Sequence, residues 1–327
     1  MSKIKRVGVL TSGGDAPGMN AAIRGVTRTA IYYGLEVIGI RHGYHGMINK
    51  QFVSLKAHSV SDILARGGTM LKTARSKEFM EPEGRAKAYE NLREAGIDAV
   101  VVIGGDGTMT GARVFCDEFG EIPFIGLPGT IDNDIFGTDY TIGYDTALNT
   151  VVEAVDKIRD TAGSHNRLFF IEVMGRDAGF IALRSGIACG AEAILIPEIP
   201  GQVQNLRSYL EKGFKRKKSS NIIIVAEGDE EGGAFAIAEK VKDDFKEYDV
   251  RVSVLGHIQR GGTPSAYDRV TASKLGYASV EALLDDQKSV MVGYHNNELV
   301  LVPFRKVIKL KKKVNPEEMQ MVEILSV

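Results

Sequence analysis

Cysteine is nearly absent: the 327 residues hold only Cys116 and Cys189. Two are too few for a disulfide framework, and their small and apolar neighbours suit buried, inert thiols. Charge of one sign is missing as well. A formal net charge of −1 gives no global attraction for nucleic acid or for an anionic membrane, so any anion site must be a local cluster. No segment approaches the roughly 20 apolar residues of a membrane span. Met1–Arg6 runs straight into Val7-Gly8-Val9-Leu10 without the apolar stretch of a signal peptide, and a cytoplasmic protein is expected. Internal repeats and low-complexity tracts are lacking. The sizeable charge runs are confined to Lys212–Lys218 and Arg305–Lys313. Two nucleotide signatures are also missing: the spaced-glycine dinucleotide fingerprint and the Gly-Lys-Ser/Thr of a Walker A loop.

What remains is an ordinary globular composition, 44% hydrophobic and 25% charged. The length exceeds what one core usually serves, so one large α/β domain or two lobes are expected. Short apolar runs recur at Val7–Leu10, Val37–Ile40, Ala99–Ile103, Phe124–Leu127, Leu168–Val173, Ala193–Ile196, Ile222–Ala226 and Val252–Leu255. Runs that are apolar at every position, rather than alternating, suit strands covered on both faces. Helical stretches such as Pro82–Ala95 lie between them. The alternation predicts α/β architecture with mainly parallel, doubly wound sheets.

In such folds ligands gather beyond the carboxyl ends of strands, and the unusual residues fall there. Thr11–Gly18 is glycine-rich, so its N–H groups can approach a phosphate and the next helix adds its positive end. A tight turn explains it equally well. Gly104-Gly105-Asp106-Gly107-Thr108 is a second turn, with a carboxylate able to hold Mg²⁺. Several kinase families share it, so it specifies phosphoryl transfer better than the acceptor. Pro128–Asp134 sets Asp132 and Asp134 two apart, suited to one proton acceptor and one metal ligand; Asx-turn capping before a helix near Thr146 is the bland alternative. Met174-Gly175-Arg176 follows a later strand. Arg167, Arg176, Arg251 and Arg260 lie beside apolar strands or glycine turns, where a guanidinium fork suits phosphate or an internal ion pair. His257 and Arg260, three apart, are placed to clasp one phosphate. Glu227 can accept a sugar hydroxyl or cap a turn.

With these pieces in place, the chain resembles the bacterial ATP-dependent 6-phosphofructokinase family from end to end. The resemblance rests on Gly8–Asn20, Gly104–Gly107, Leu127–Asp134, Val173–Arg176 and Leu255–Gly262. It implies two lobes, each a mainly parallel sheet with helices on both faces and the active site in the cleft between them. Residues 1–142 plus 258–308 would form the ATP-binding lobe. Residues 143–257 plus 309–327 would form the fructose 6-phosphate lobe. Asp132 would be the base acting on the 1-hydroxyl of fructose 6-phosphate, in the committed step of glycolysis, with Thr130 and Arg176 steadying the transferred group. Asp106 with Asp134 would manage Mg²⁺. Gly13, Gly14, Tyr44, Arg75, Ser76 and Gly105–Thr108, including Gly107, would line the ATP site. Thr130, Ile131, Met174, Gly175, Glu227, His257 and Arg260 would hold the sugar phosphate. Arg167 and Arg251 would reach across a subunit interface of a homotetramer and stand idle without a neighbour.

The resemblance also implies an effector site for ADP or phosphoenolpyruvate at Arg24, Arg28, Arg159, Gly190, Glu192, Arg216 and Lys218. Ala57 stands where better-studied members carry an arginine, which removes one charge-assisted phosphate contact worth about 1.5–3 kcal/mol. Ser76 stands where some carry an aromatic, and the stretch beyond Arg305 follows the pattern loosely. Pyrophosphate-dependent relatives typically have Asp at the position of Gly107 and Lys at that of Gly129. Those side chains would fill and charge the place of the α-phosphate, so ATP is expected as donor. The rival readings are a pyrophosphate-dependent enzyme, a kinase for another acceptor, and a non-catalytic sugar-phosphate-binding subunit. The arginine and histidine set argues against the second, and retention of Asp106, Thr130, Asp132 and Arg176 against the third.

Overall fold

The computed structural model describes residues 4–162, 167–204, 206, 221–242 and 248–325, with residue 323 by its backbone only. The chain divides into two compact units. One comprises Met1–Thr130, Ile135–Thr146 and Arg260–Lys312; the other comprises Ile131–Asp134, Ala147–Gln259 and Lys313–Val327.

The first unit is built on a seven-stranded sheet. Its strands are β1 (Arg6–Ser12), β2 (Glu36–Ile40), β3 (Phe52–Leu55), β4 (Ala99–Gly104), β5 (Phe124–Pro128), β10 (Val290–His295) and β11 (Glu298–Pro303), in the order β11-β10-β5-β4-β1-β2-β3. The inner pairs are parallel; β3 and β11 add antiparallel edges. All six residues of β4 are buried, as a strand covered on both faces requires. Leu10, Val100, Val102 and Phe124 share one core with Met47 and Ile48 of α2 (Gly43–Ile48), Ala88 and Leu92 of α3 (Pro82–Glu94), and Met109 and Phe115 of α4 (Asp106–Glu118). Side chains alternate along a strand, which turns Val9 and Val101 to the other face. There α1 (Met19–Tyr32) packs on the strands and on the helix Ala266–Leu284. Proline at the first position of α3 and its missing N–H suit a helix start.

The second unit carries a four-stranded parallel sheet of β6 (Arg167–Val173), β7 (Ala193–Leu195), β8 (Asn221–Ala226) and β9 (Asp249–Val254), in the order β7-β8-β6-β9. Leu168, Phe170, Ile223 and Val225 bury one face against Ala234, Ile237 and Val241 of α7 (Ala234–Val241). Helix α6 (Phe180–Cys189) packs on β7 and β8, with α10 (Pro316–Leu325) against it. The 19-residue α5 (Tyr144–Ala162) begins two residues before the expected Thr146. The mainly parallel α/β class predicted from the apolar runs is the one observed. Among the described residues, no helix is long and apolar enough to cross a membrane.

Register positions the chemistry. Ser12 pairs Gly104, and Gly104 pairs Pro128, so the loops after β1, β4 and β5 leave the sheet side by side, within about 10 Å at ~4.8 Å per strand. In the second unit Val173 pairs Ala226 and Glu172 pairs Val254, which gathers Met174, Glu227 and Gly256 in the same way.

Candidate active site

In the seven-stranded unit the loop after β1 turns through Gly13 (φ +85°) and Gly18 (φ +107°) into α1. Gly13 and Gly14 are exposed, with their backbone accessible. A Cβ on Gly14 would lie 2.5 Å from Nη1 of Arg260, and that guanidinium donates to the Asp15 carbonyl at 3.4 Å. His257 and Arg260 share the short turn Gly256–Arg260. Asn20, 3% exposed, binds the carbonyls of Arg66 and Gly67 and accepts from the Met70 N–H. It thereby fixes the segment leading to Arg75 and Ser76. Arg75 is exposed, and Ser76 Oγ accepts from the Phe79 N–H at 3.2 Å, starting the short turn Glu78–Met80.

The loop after β4 is tied to the first: Thr108 Oγ1 donates to the Ser12 carbonyl at 3.2 Å. A Cβ on Gly104 would overlap both atoms, so this position requires glycine. Asp106 and Gly107 are exposed at the start of α4, and nothing lies within 4 Å of a Cβ built on Gly107. Tyr44, expected to line the nucleotide, is only 6% exposed. Its ring stacks on Phe79 at 4.1 Å and its hydroxyl donates to the Thr108 carbonyl at 2.5 Å. It supports the loop from behind, and burial pushes its phenol well above the usual range.

The loop after β5 joins the same edge. The Gly129 N–H donates to the Gly104 carbonyl at 3.0 Å, and Thr141 Oγ1 donates to the Thr130 carbonyl at 2.6 Å. An added side chain would have open space at Gly107 but close neighbours at Gly129. A Cβ there would meet Ile103 at 3.0 Å and Met19 at 3.1 Å, because the strand ends pack directly on α1. Thr130 and Asp132 are each 7% exposed, and Asp134 is half-buried. Asn133 between the carboxylates is left-handed at φ +53°, a conformation asparagine tolerates. Asp268, which sequence reasoning missed, is 1% exposed and accepts from the N–H groups of Gly143 and Thr146 and from Thr146 Oγ1. Burial pushes its carboxyl up to about 6, against those hydrogen bonds.

In the four-stranded unit, Gly175 (φ +147°) and Arg176 (φ +56°) turn the chain after β6. The Arg176 side chain is 75% exposed beside Asp177. Glu227 Oε1 accepts from the N–H groups of Gly175 and Arg176 at 3.3 and 2.7 Å. Met174, Gly175, Arg176 and Glu227 are thus brought together, and the turn Gly256–Arg260 joins them through Gln259, another residue the sequence reading missed. Arg167 and Arg251 are elsewhere, toward the amino ends of β6 and β9. They are not idle, since both donate to Asp249 Oδ2, at 3.3 and 2.8 Å, and hold that carboxyl below its usual range.

Of the effector set, Arg24 and Arg28 lie one turn apart on α1, where burial and the neighbouring charge lower Arg24 from its ordinary value. Arg159 donates to the carbonyls of Cys189 and Gly190, the left-handed cap of α6. Glu192 is 5% exposed and accepts from the Ile222 N–H at 2.6 Å. Arg216 and Lys218 lie outside the described residues. Cys116 is buried as expected, whereas Cys189 is half-exposed. Burial still pushes the Cys189 thiol up to about 11, which keeps it inert.

The family described as Phosphofructokinase matches residues 6–283. Over all 327 residues the chain is 57% identical to the ATP-dependent 6-phosphofructokinase 2 of Bacteroides thetaiotaomicron, covering both chains fully. It is 53% identical over 323 residues to the ATP-dependent 6-phosphofructokinase 1 of Thermus thermophilus, covering 99% of this chain and 100% of that one. Among solved structures, the Saccharomyces cerevisiae phosphofructokinase matches with a TM-score of 0.87 at 39% identity over 93% of this chain, which spans 45% of the length of the yeast chain. A pyrophosphate-dependent phosphofructokinase from Nitrosospira multiformis matches with a TM-score of 0.86 at 21% identity, covering 99% and 91%. That likeness shows a shared fold alone.

Proposed function

The chain belongs to the phosphofructokinase family, and on that premise we propose that its seven-stranded unit holds the nucleotide and its four-stranded unit the sugar phosphate. The enzyme moves the γ-phosphoryl group of ATP to the 1-hydroxyl of fructose 6-phosphate, giving fructose 1,6-bisphosphate and ADP. The observation that carries this reading is the full-length match, at 49–57% identity, to relatives named ATP-dependent 6-phosphofructokinase.

Transfer of this kind asks the protein for position and countercharge rather than covalent steps. The exposed N–H groups of Gly13 and Gly14, and the side chain of Arg75, draw charge off the donor phosphates. Thr130 and Arg176 meet the charge that spreads over the migrating group. Asp132 accepts the proton of the attacking hydroxyl late in the step. Met174, Gly175, Glu227, His257 and Arg260 bind and orient the sugar phosphate.

Asp106 fits magnesium, and Asp134 is the second carboxylate that the resemblance implies. Asp106 is exposed and the space at Gly107 is open, and this cation keeps most of its waters while taking one or two carboxylates. No group of three potential ligands occurs among the described residues, and that mode needs none. When bound, the ion neutralises donor-phosphate charge. The homotetramer, cytoplasmic location and effector control by ADP or phosphoenolpyruvate belong to the same proposal, carried by the family resemblance, with the Arg24–Arg28 pair on one helix as the basic cluster that effector control needs.

A donor-and-acceptor panel tests the reading. With magnesium and fructose 6-phosphate, ATP should be consumed at least a hundredfold faster than pyrophosphate, and other hexose monophosphates should be poor acceptors. Preference for pyrophosphate, or no acceptance of fructose 6-phosphate, would reject it. Sedimentation of the same preparation, with and without ADP, tests the tetramer.

A further inference from the structure

Gln259 is fully buried in the turn Gly256–Arg260, and both ends of its amide are engaged. Nε2 donates to the Gly256 carbonyl at 3.0 Å, closing the turn on itself. Oε1 accepts from the N–H of Met174, 85 positions earlier in the chain, at 3.2 Å. The next two N–H groups, of Gly175 and Arg176, both go to Glu227 Oε1. Three successive N–H groups after β6 are thus held by two side chains, one from the loop after β8 and one from the turn after β9.

The segment so held is one the backbone does not adopt freely. Gly175 has φ +147° and Arg176, with its side chain, has φ +56°. A non-glycine residue stays left-handed only where its surroundings over-determine it. Nearby backbone adds to that: a Cβ on Gly228 would overlap the Arg176 carbonyl. An interior amide is costly unless each end is partnered, so Gln259 holds a fixed geometry.

We infer that Gln259 is a positioning residue for the sugar-phosphate site: it locks the Met174–Arg176 turn to the turn that carries His257. The inference rests on the reading above, in which Met174, Gly175, Arg176 and His257 hold the sugar phosphate. Gln259 touches no substrate itself. Its removal should be felt by one substrate, because its contacts, with Met174 and Gly256, belong to the four-stranded unit.

Two variants test it, with initial rates taken against each substrate in turn. Gln259→Leu removes both hydrogen bonds and should raise KM for fructose 6-phosphate at least tenfold, with KM for ATP within threefold of wild type. Gln259→Glu keeps the acceptor for Met174 but sets a carboxylate against the Gly256 carbonyl. Its fructose 6-phosphate defect should shrink as pH falls from 8 to 6, because a buried carboxyl with a raised pKa then donates to that carbonyl. Expressing KM as a ratio to wild type at each pH cancels the titration of the substrate phosphate. A wild-type KM for fructose 6-phosphate in Gln259→Leu, equal losses toward both substrates, or a pH-flat ratio in Gln259→Glu would each overturn the inference. If Gln259→Leu does not fold, the Gln259→Glu ratio decides. His257→Ala, measured alongside, separates the two readings. An unchanged KM there rejects the site assignment, whereas a raised KM beside a wild-type Gln259→Leu rejects the role of Gln259 alone.

Discussion

In the proposed reaction two buried polar side chains, Asp132 and Tyr44, have different parts. The carboxylate is asked for one event, receipt of a proton, so Asp132→Ser should lower kcat by at least two orders of magnitude, the scale of general-base catalysis. The fructose 6-phosphate KM should stay within a few-fold, since little ground-state binding is lost; equal loss of both would contradict the base assignment. The Tyr44 hydroxyl instead holds the Thr108 carbonyl from behind the nucleotide loop. Tyr44→Phe should cost about 1 kcal/mol of stability and raise KM for ATP, while KM for the sugar stays level in the same assay. The two glycines expected to favour ATP as donor also part company. Gly107 faces open space, so Gly107→Asp should keep wild-type stability within about 0.5 kcal/mol and still lower kcat/KM for ATP at least tenfold. Gly129 is packed, and Gly129→Lys should lower the melting temperature, because overpacking costs about 1–3 kcal/mol.

At the scale of elements, one carboxylate organises the start of α5. Asp268, in the first turn of the helix Ala266–Leu284, supplies the capping that Gly143 and Thr146 need. Burial outweighs the three hydrogen bonds that favour its charge, and its pKa rises to about 6; Asp145 adds to the rise. An unfolded aspartate titrates near ~3.9. The folded chain therefore keeps a proton that the unfolded chain has lost, and the stability from this group is full below about pH 4 and gone as pH rises through about 6. The unfolding free energy of wild type, minus that of Asp268→Asn, should fall by about 1 kcal/mol between pH 5 and 7. A difference independent of pH would contradict the burial of this charge. The strands that ran apolar at every position, such as β4 and β8, were legible because burial on both faces leaves that mark. Edge strands β3 and β11 were not: β3 buries only Leu55 fully, and Glu298–Pro303 varies between exposed and half-buried with no buried residue. Asp268 and Gln259 were illegible for another reason. Their partners lie 122 to 125 and 85 positions away, and no local spacing announces a contact formed by tertiary packing.

Over the whole molecule, the sequence placed its glycines and carboxylates at strand ends, and strand register set those ends beside one another in each unit. In the proposed reaction this arrangement moves a phosphoryl group from ATP to a sugar oxygen. Phosphorus NMR of the enzyme with ATP, magnesium and fructose 6-phosphate tests it most directly. The γ-phosphate signal of ATP should be replaced, mole for mole with ADP, by a second sugar phosphomonoester on carbon 1, and Asp132→Ser should slow this at least a hundredfold. Release of the γ-phosphate as inorganic phosphate with the sugar unchanged, or an intact ATP spectrum, would contradict it.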